Sequence, residues 1–206
     1  SPKNPKLIYC SVTGFGQDGP RAHKAGYDFM IQGMTGIMDI TGEPDGMPQK
    51  VGVAFADVFT GLYGVIGIQA ALAQRARTGK GQHVDMALFD CMLAAQANQN
   101  LNYLTTGKSP QRMGNAHPSI VPYQVFPVGD GYIVIACGNN RQFHNLARAL
   151  GREDWIEDPI FADNITRITN RTEVVDQITA QLSQWAKLDV LPALEAAGVP
   201  SGPINT

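Results

Sequence analysis

Asp57 lies between the apolar run Val53, Ala54, Phe55, Ala56 and a stretch punctuated by Gly61, Gly64 and Gly67. Such a carboxylate is expected at a helix start, where free amides and the macrodipole hold it ionised. An ionised, partly desolvated carboxylate is a candidate covalent nucleophile. Asp is also a preferred N-cap, so the same pattern admits a purely structural role. The other reactive side chains form no constellation. Cys10, Cys91 and Cys137 lie far apart without a CxxC, as expected of small buried thiols in a reducing compartment. His23, His83, His117 and His144 show no ligand spacing with one another or with the cysteines, so no structural metal is expected.

The elements that must position Asp57 alternate between strand and helix. Residues 7–12 read as a buried strand, followed by a glycine-rich loop over 13–20. Residues 27–37 read as a helix, 41–48 as a loop and 58–77 as a long helix. Glycines at 61, 64 and 67 form an i, i+3 row. This row weakens the helix, so a partner must approach that face closely. Residues 82–88 alternate like a strand, and 89–104 read as one further helix. Together they predict part of an α/β layered domain.

The pattern changes after residue 106. A polar connector, 107–116, leads to two apolar runs flanking Gly129, Asp130 and Gly131, a hairpin signal. Helical patterns follow at 141–150, 171–185 and 191–197. Residues 117–200 therefore read as a small α+β domain anchored by Trp155 and Trp185. Gly138, Asn139, Asn140 and Arg141 read as the cap of its first helix.

A chain of 206 residues has room for one large domain or two small ones. Its hydrophobic content of 44% and charged content of 17% are those of an ordinary soluble globular protein. A net charge of -2 carries no electrostatic footprint for nucleic acid or for an anionic membrane. No stretch is read as membrane-spanning, because Arg75 and Arg77 end the longest apolar helical pattern. The start has no signal-peptide core and no initiator Met, and it enters a strand within a few residues. It reads as a processed chain or an internal fragment, with a cytoplasmic location expected.

Several segments, in this order and spacing, resemble one family. They are residues 7–16 ending in Thr13, Gly14, Phe15, Gly16; Ala25, Gly26, Tyr27, Asp28; Asp57 with Thr60 and Gly61; and Arg77, Thr78, Gly79, Lys80, Gly81, Gln82. Further on come Pro122 and Tyr123, Asp130 to Ile133, and Gly198, Val199, Pro200 with Gly202, Pro203, Ile204. The chain is similar nearly end to end to the family III CoA-transferases, which include formyl-CoA transferase, carnitine CoA-transferase and the α-methylacyl-CoA racemases. Within the family, residues 119–124 and 138–140 look most similar to members that move CoA between succinate and glutarate, and to other dicarboxylate-using relatives.

The resemblance implies an acyl-CoA:carboxylate CoA-transferase with Asp57 as nucleophile, working through an aspartyl anhydride and an aspartyl-CoA thioester. A CoA thioester would be the substrate, a carboxylic acid or dicarboxylate its partner, and no tightly bound cofactor would be needed. Tyr27 stands thirty residues before Asp57, where racemases of the family carry a histidine base. A tyrosine is a poor base at neutral pH. The transferases have tyrosine there, close to the thioester. Asn115 and His117 fall where formyl-CoA transferase has a glycine-rich loop over its site, and here His117, Pro118, Ser119 and Ile120 replace the glycines. Lys24 is a candidate for a CoA phosphate, while Asp28 and Asp85 read as structural. The implied fold is part of a Rossmann-like large domain (1–106), a linker (107–116), a small α+β domain (117–200) and the start of a return linker (201–206). Full-length members are interlocked homodimers. Two other readings stay open: a CoA-thioester racemase or epimerase, and a non-enzymatic module in which Asp57 is only an N-cap.

Overall fold

The computed structural model describes residues 3–205, so the outermost positions of the expected domain limits lie outside the described residues. The chain divides after Gly114 into two compact units. In the first, strands β1 (Tyr9–Thr13) and β2 (His83–Ala87) pair in parallel, with Tyr9 opposite His83, Ser11 opposite Asp85 and Thr13 opposite Ala87. A parallel pair needs a long crossover. Here it is made by α1 (Asp28–Met34) and α2 (Phe55–Thr78). Helices α3 (Leu88–Ala95) and α4 (Ala97–Thr106) complete the unit.

The glycine row explains how α2 meets the sheet. A Cβ at Gly64 would stand 3.8 Å from Met86 Cγ and 4.0 Å from Cys10 Sγ, and one at Gly67 only 2.8 Å from Val84 Cγ1. The helix backbone therefore lies directly on both strands. Gly61 faces open space, so the first glycine of the row has no close partner among the described residues. Helix α2 stops at Gly79, whose left-handed φ of 71° lets its N–H donate to Arg75 O. With a mean hydropathy of 1.4 over an 18-residue window, α2 meets the length and composition of a membrane span, contrary to the expectation drawn from Arg75 and Arg77. Its packing on the sheet is that of a layered α/β domain.

On the opposite sheet face, Ser11 Oγ lies 2.6 Å from His83 Nε2 and 3.2 Å from Asp85 Oδ1. Asp85 Oδ2 accepts the Gln17 N–H at 2.8 Å, so this carboxylate ties down the loop after β1. The single helix expected over 89–104 is broken. Gln96 donates its side-chain amide to Thr35 O at 2.7 Å, and Ala97 turns to a φ of 33°. A tertiary hydrogen bond has overridden helical propensity there.

In the second unit, β3 (Tyr123–Val128) and β4 (Gly131–Ala136) form the hairpin predicted around Asp130. Residues Ser201–Pro203, expected to open a linker, pair with β4 as edge strand β5. Around this sheet lie α5 (Asn140–Ala149), α6 (Asp154–Glu157), a 3-10 turn (Pro159–Phe161), α7 (Asn164–Thr169), α8 (Arg171–Leu182) and α9 (Lys187–Ala196). Asn139 caps α5, accepting the Gln142 N–H at 3.0 Å, as the sequence predicts. Trp155, Phe161 and Phe143 stack at the centre of the core. Arg167 is wholly buried beside them and makes no salt bridge among the described residues, its guanidinium donating to Val121 O, Phe161 O and Asn140 Oδ1. Burial draws its pKa down from the ordinary arginine value.

Candidate active site

The first turn of α2 begins without a local cap. Ala54 occupies the N-cap position and has no side chain to offer. The carboxylate of Asp28, at the start of α1, supplies the missing acceptor: its Oδ1 takes the Ala56 N–H at 2.9 Å. Asp57 is therefore the third residue of the helix and not its N-cap, which corrects the structural alternative read from the sequence. The expected role for neighbouring amides narrows as well. Phe55 N–H donates to Val53 O at 2.8 Å and Val58 N–H to Ala54 O at 3.0 Å, while Ala56 N–H is taken by Asp28. Asp57 itself is exposed, so this chain does not supply the desolvation expected for it. Its charge lies in the first turn of a 24-residue helix, where the macrodipole favours an anion.

Tyr27 precedes Asp28 and occupies the N-cap position of α1 in extended conformation, at φ -119° and ψ 151°. Tyr27 is 76% exposed, so it does not pack as a buried aromatic against its own helix. The residues next to Tyr27 and Asp57, Asp28 and Ala56, are thus joined by one hydrogen bond. Two glycines fix this corner. A Cβ on Gly14 would fall 2.6 Å from Gly26 Cα, and one on Gly26 would fall 2.5 Å from Gly14 Cα. The loop after β1 and the residue before Tyr27 can touch backbone to backbone only because both are glycine. Lys24 sits exposed in the preceding turn, its N–H donating to Arg21 O at 2.9 Å.

Asn115 and His117 belong to the second unit. Asn115 is exposed. His117 is half-buried, its ring 5.0 Å from that of Tyr123. Its Nδ1 accepts the Ser119 N–H at 3.1 Å, which puts the proton of the neutral ring on Nε2 as a remaining donor. The His117 and Pro118 carbonyls rest on Arg171 Nη2 at 3.0 and 3.2 Å. Desolvation lowers the Arg171 pKa from the usual arginine value. Among the described residues no cluster of three or more histidines, cysteines or acids could hold a metal ion.

The sequence of the whole chain, residues 1–206, matches the family model described as CoA-transferase family III. The chain belongs to CoA-transferase family III. It is 54% identical over 203 residues to succinate--glutarate CoA-transferase of Agrobacterium fabrum, covering 98% of this chain and 51% of that protein. It is 41% identical to acetyl-CoA:oxalate CoA-transferase of Acetobacter aceti, covering 98% of this chain and 52% of that one. The crystal structure of a CAIB/BAIF family protein from Brucella suis superposes with a TM-score of 0.84 at 62% identity, over 98% of this chain and 54% of the other. The chain thus spans about half the length of the relatives it matches.

Gln32 was not singled out by sequence reasoning, yet it is fully buried and its side chain binds Asp28, Val51 and Val53 at the approach to α2. Its only sequence signal is a polar residue four positions after Asp28 in an otherwise apolar helix.

Proposed function

We propose that the full-length protein is an acyl-CoA:carboxylate CoA-transferase in which Asp57 is the covalent nucleophile. The observation that carries this is an exposed carboxylate in the first turn of α2, next to the Ala56 N–H that bonds Asp28, the neighbour of Tyr27, in a chain of this family. In the first step an Asp57 oxygen attacks the thioester carbonyl. The C–S bond breaks, leaving an aspartyl anhydride and CoA thiolate. The thiolate then attacks the aspartyl carbonyl, releasing the donor acid and forming an aspartyl-CoA thioester. The acceptor carboxylate attacks that thioester, and the returning thiolate takes the acyl group from the new anhydride. Each step exchanges one acyl bond for another, so the sequence of steps balances without an oxidant or an external base. The Tyr27 hydroxyl is the proposed donor to a thioester or carboxylate oxygen. Tyrosine, unlike histidine, is not suited to removing an α-proton at neutral pH.

Dicarboxylates are the proposed acceptor class, in keeping with the succinate, glutarate and oxalate named for the relatives. Lys24, Asn115 and His117 are proposed contacts to CoA and acceptor. We also propose a homodimer, supported by the exposed apolar side chains Val58, Leu62, Val65 and Ile66 along α2, and a cytoplasmic location, supported by three free cysteines. The test is to add succinyl-CoA to the full-length protein, trap with hydroxylamine and map the product. A hydroxamate at Asp57, together with CoA transfer to glutarate or another dicarboxylate, is expected. Turnover with no adduct at Asp57 would overturn the mechanism.

A further inference from the structure

We infer that Gln32 and Asp28 form a positioning pair that sets the first turn of α2, and with it the Asp57 carboxylate, for acyl transfer. This rests on the reading of Asp57 as nucleophile. Gln32 has no exposed surface, yet both ends of its amide are engaged. Its Oε1 accepts the Val51 N–H at 2.9 Å, and its Nε2 donates to Asp28 Oδ2 at 2.8 Å and to Val53 O at 3.3 Å. The other oxygen of Asp28 accepts the Ala56 N–H at 2.9 Å. The pair therefore grips positions 51, 53 and 56, the last turn of chain before Asp57.

A helix that needed only an N-cap would carry Ser, Thr or Asp at position 54. A local cap of that kind starts a helix but leaves it free to shift against its neighbours. Here the cap is borrowed from α1, and its second oxygen is held by a buried amide on the same helix. The arrangement also has a fixed hydrogen-bond sense. Val51 N–H donates into Gln32, Gln32 donates into Asp28, and Ala56 N–H donates into Asp28 from the other side. Reversing donor and acceptor at one point leaves two groups facing like partners. Such a device fixes lateral position as well as helix content. For a nucleophile on a first turn, a shift of about 1 Å is worth about a hundredfold in rate.

The test uses the full-length protein. Asp28→Asn, Gln32→Leu and Gln32→Glu are each expected to lower kcat for CoA transfer by about 10- to 100-fold. KM for the acyl-CoA is expected to stay within about twofold, and amide exchange at Val51 and Ala56 to quicken, because binding and positioning are separate terms. The double change Asp28→Asn with Gln32→Glu again sets a donor against an acceptor between positions 28 and 32, but it puts a carboxylate oxygen against Val53 O in place of the 3.3 Å amide contact. It is expected to recover part of the kcat lost in Asp28→Asn and in Gln32→Glu. Wild-type kcat in Asp28→Asn would overturn the pairing, as would a double variant no better than the singles. Should the Gln32 variants fail to fold, the half-buried Asp28 decides the matter alone. Asp57→Ala separates the two failures. If it stays active, the nucleophile assignment falls; if it is dead while Asp28→Asn turns over normally, only the positioning pair falls.

Discussion

Removing the Asp57 carboxylate should separate chemistry from stability. Asp57 caps nothing and is exposed, so Asp57→Ala gives up only a first-turn charge in the helix dipole, worth about 0.3–1 kcal/mol. The proposed nucleophile has no substitute, so transfer in the full-length protein should disappear while the melting curve barely moves. A mutant that keeps a sizeable fraction of the rate would make Asp57 structural. Tyr27→Phe should lower transfer modestly, which the rate of CoA transfer checks; Tyr27→His should not by itself create α-proton exchange, because a base also needs orientation and a tuned pKa, which deuterium incorporation into the acyl group checks. A third residue is readable from its burial. Desolvation, partly offset by Arg167, pushes the Cys137 thiol up to about 12. Its folded pKa lies above its ordinary value of 9.0, so the stability it contributes is complete below about pH 9 and is lost as pH rises towards 12. Cys137 should resist thiol reagents at pH 8 until the second unit unfolds, whereas labelling at native rates would contradict its burial. Asp57 stands out in the sequence because its apolar and glycine neighbours are local. The cap of its helix does not, because Asp28 lies 28 residues from Ala56 and only folding brings the two together.

Among the elements, the close approaches at glycine decide what is tolerated. Gly26→Ala would drive a methyl into the Gly14 backbone at 2.5 Å, and no side chain stands there to move aside. It should destabilise the first unit by about 1–3 kcal/mol, the cost of overpacking, and displace Tyr27 with it. Gly61→Ala is the control. Nothing lies within 4 Å of its Cβ, so the gain in helix propensity, about 0.5–1 kcal/mol, should appear as a raised melting temperature of this chain. Equal losses from both would show that conformational freedom, not space, governs these positions. Periodicity found α2, β2, the hairpin and α8 because each carries its own repeat of apolar residues. It merged α3 with α4, because the Gln96–Thr35 bond that separates them is tertiary. It passed over α6, the 3-10 turn and α7, which are too short to repeat an apolar pattern over two turns, and over β5, which pairs with β4.

At the scale of the molecule, the two units differ in how well each encloses its own core. The buried cluster around α1, α2 and α3 consists of Ile31, Ala56, Leu88 and Met92, while Phe29, Leu62, Val65, Ile66, Leu101 and Leu104 stand exposed. Such surface is expected to associate with another copy or with further chain. The second unit buries Phe126, Ile133, Phe143, Trp155, Phe161, Ile178 and Leu182 around its own hairpin. Its start is closed by His117 N–H donating to Tyr123 O at 2.9 Å and by Arg171 beneath the His117 and Pro118 carbonyls. Between the end of α4 and that closure lies exposed chain carrying Lys108. Arg112, the next basic residue, is held to Asp39 by its guanidinium at 2.8 and 3.1 Å. Backbone that is exposed and outside secondary structure opens at little cost, and tertiary contacts raise that cost. Trypsin should therefore cut first at Lys108, then at Arg112, and leave a resistant C-terminal piece read by mass spectrometry. That piece, expressed from residue 115, should unfold in a single cooperative transition, while residues 1–114 alone should sediment as aggregates or oligomers. A resistant N-terminal piece with a degraded second half would reverse the assignment of which unit is self-sufficient, and would mean that α2 finds its cover within the first unit after all.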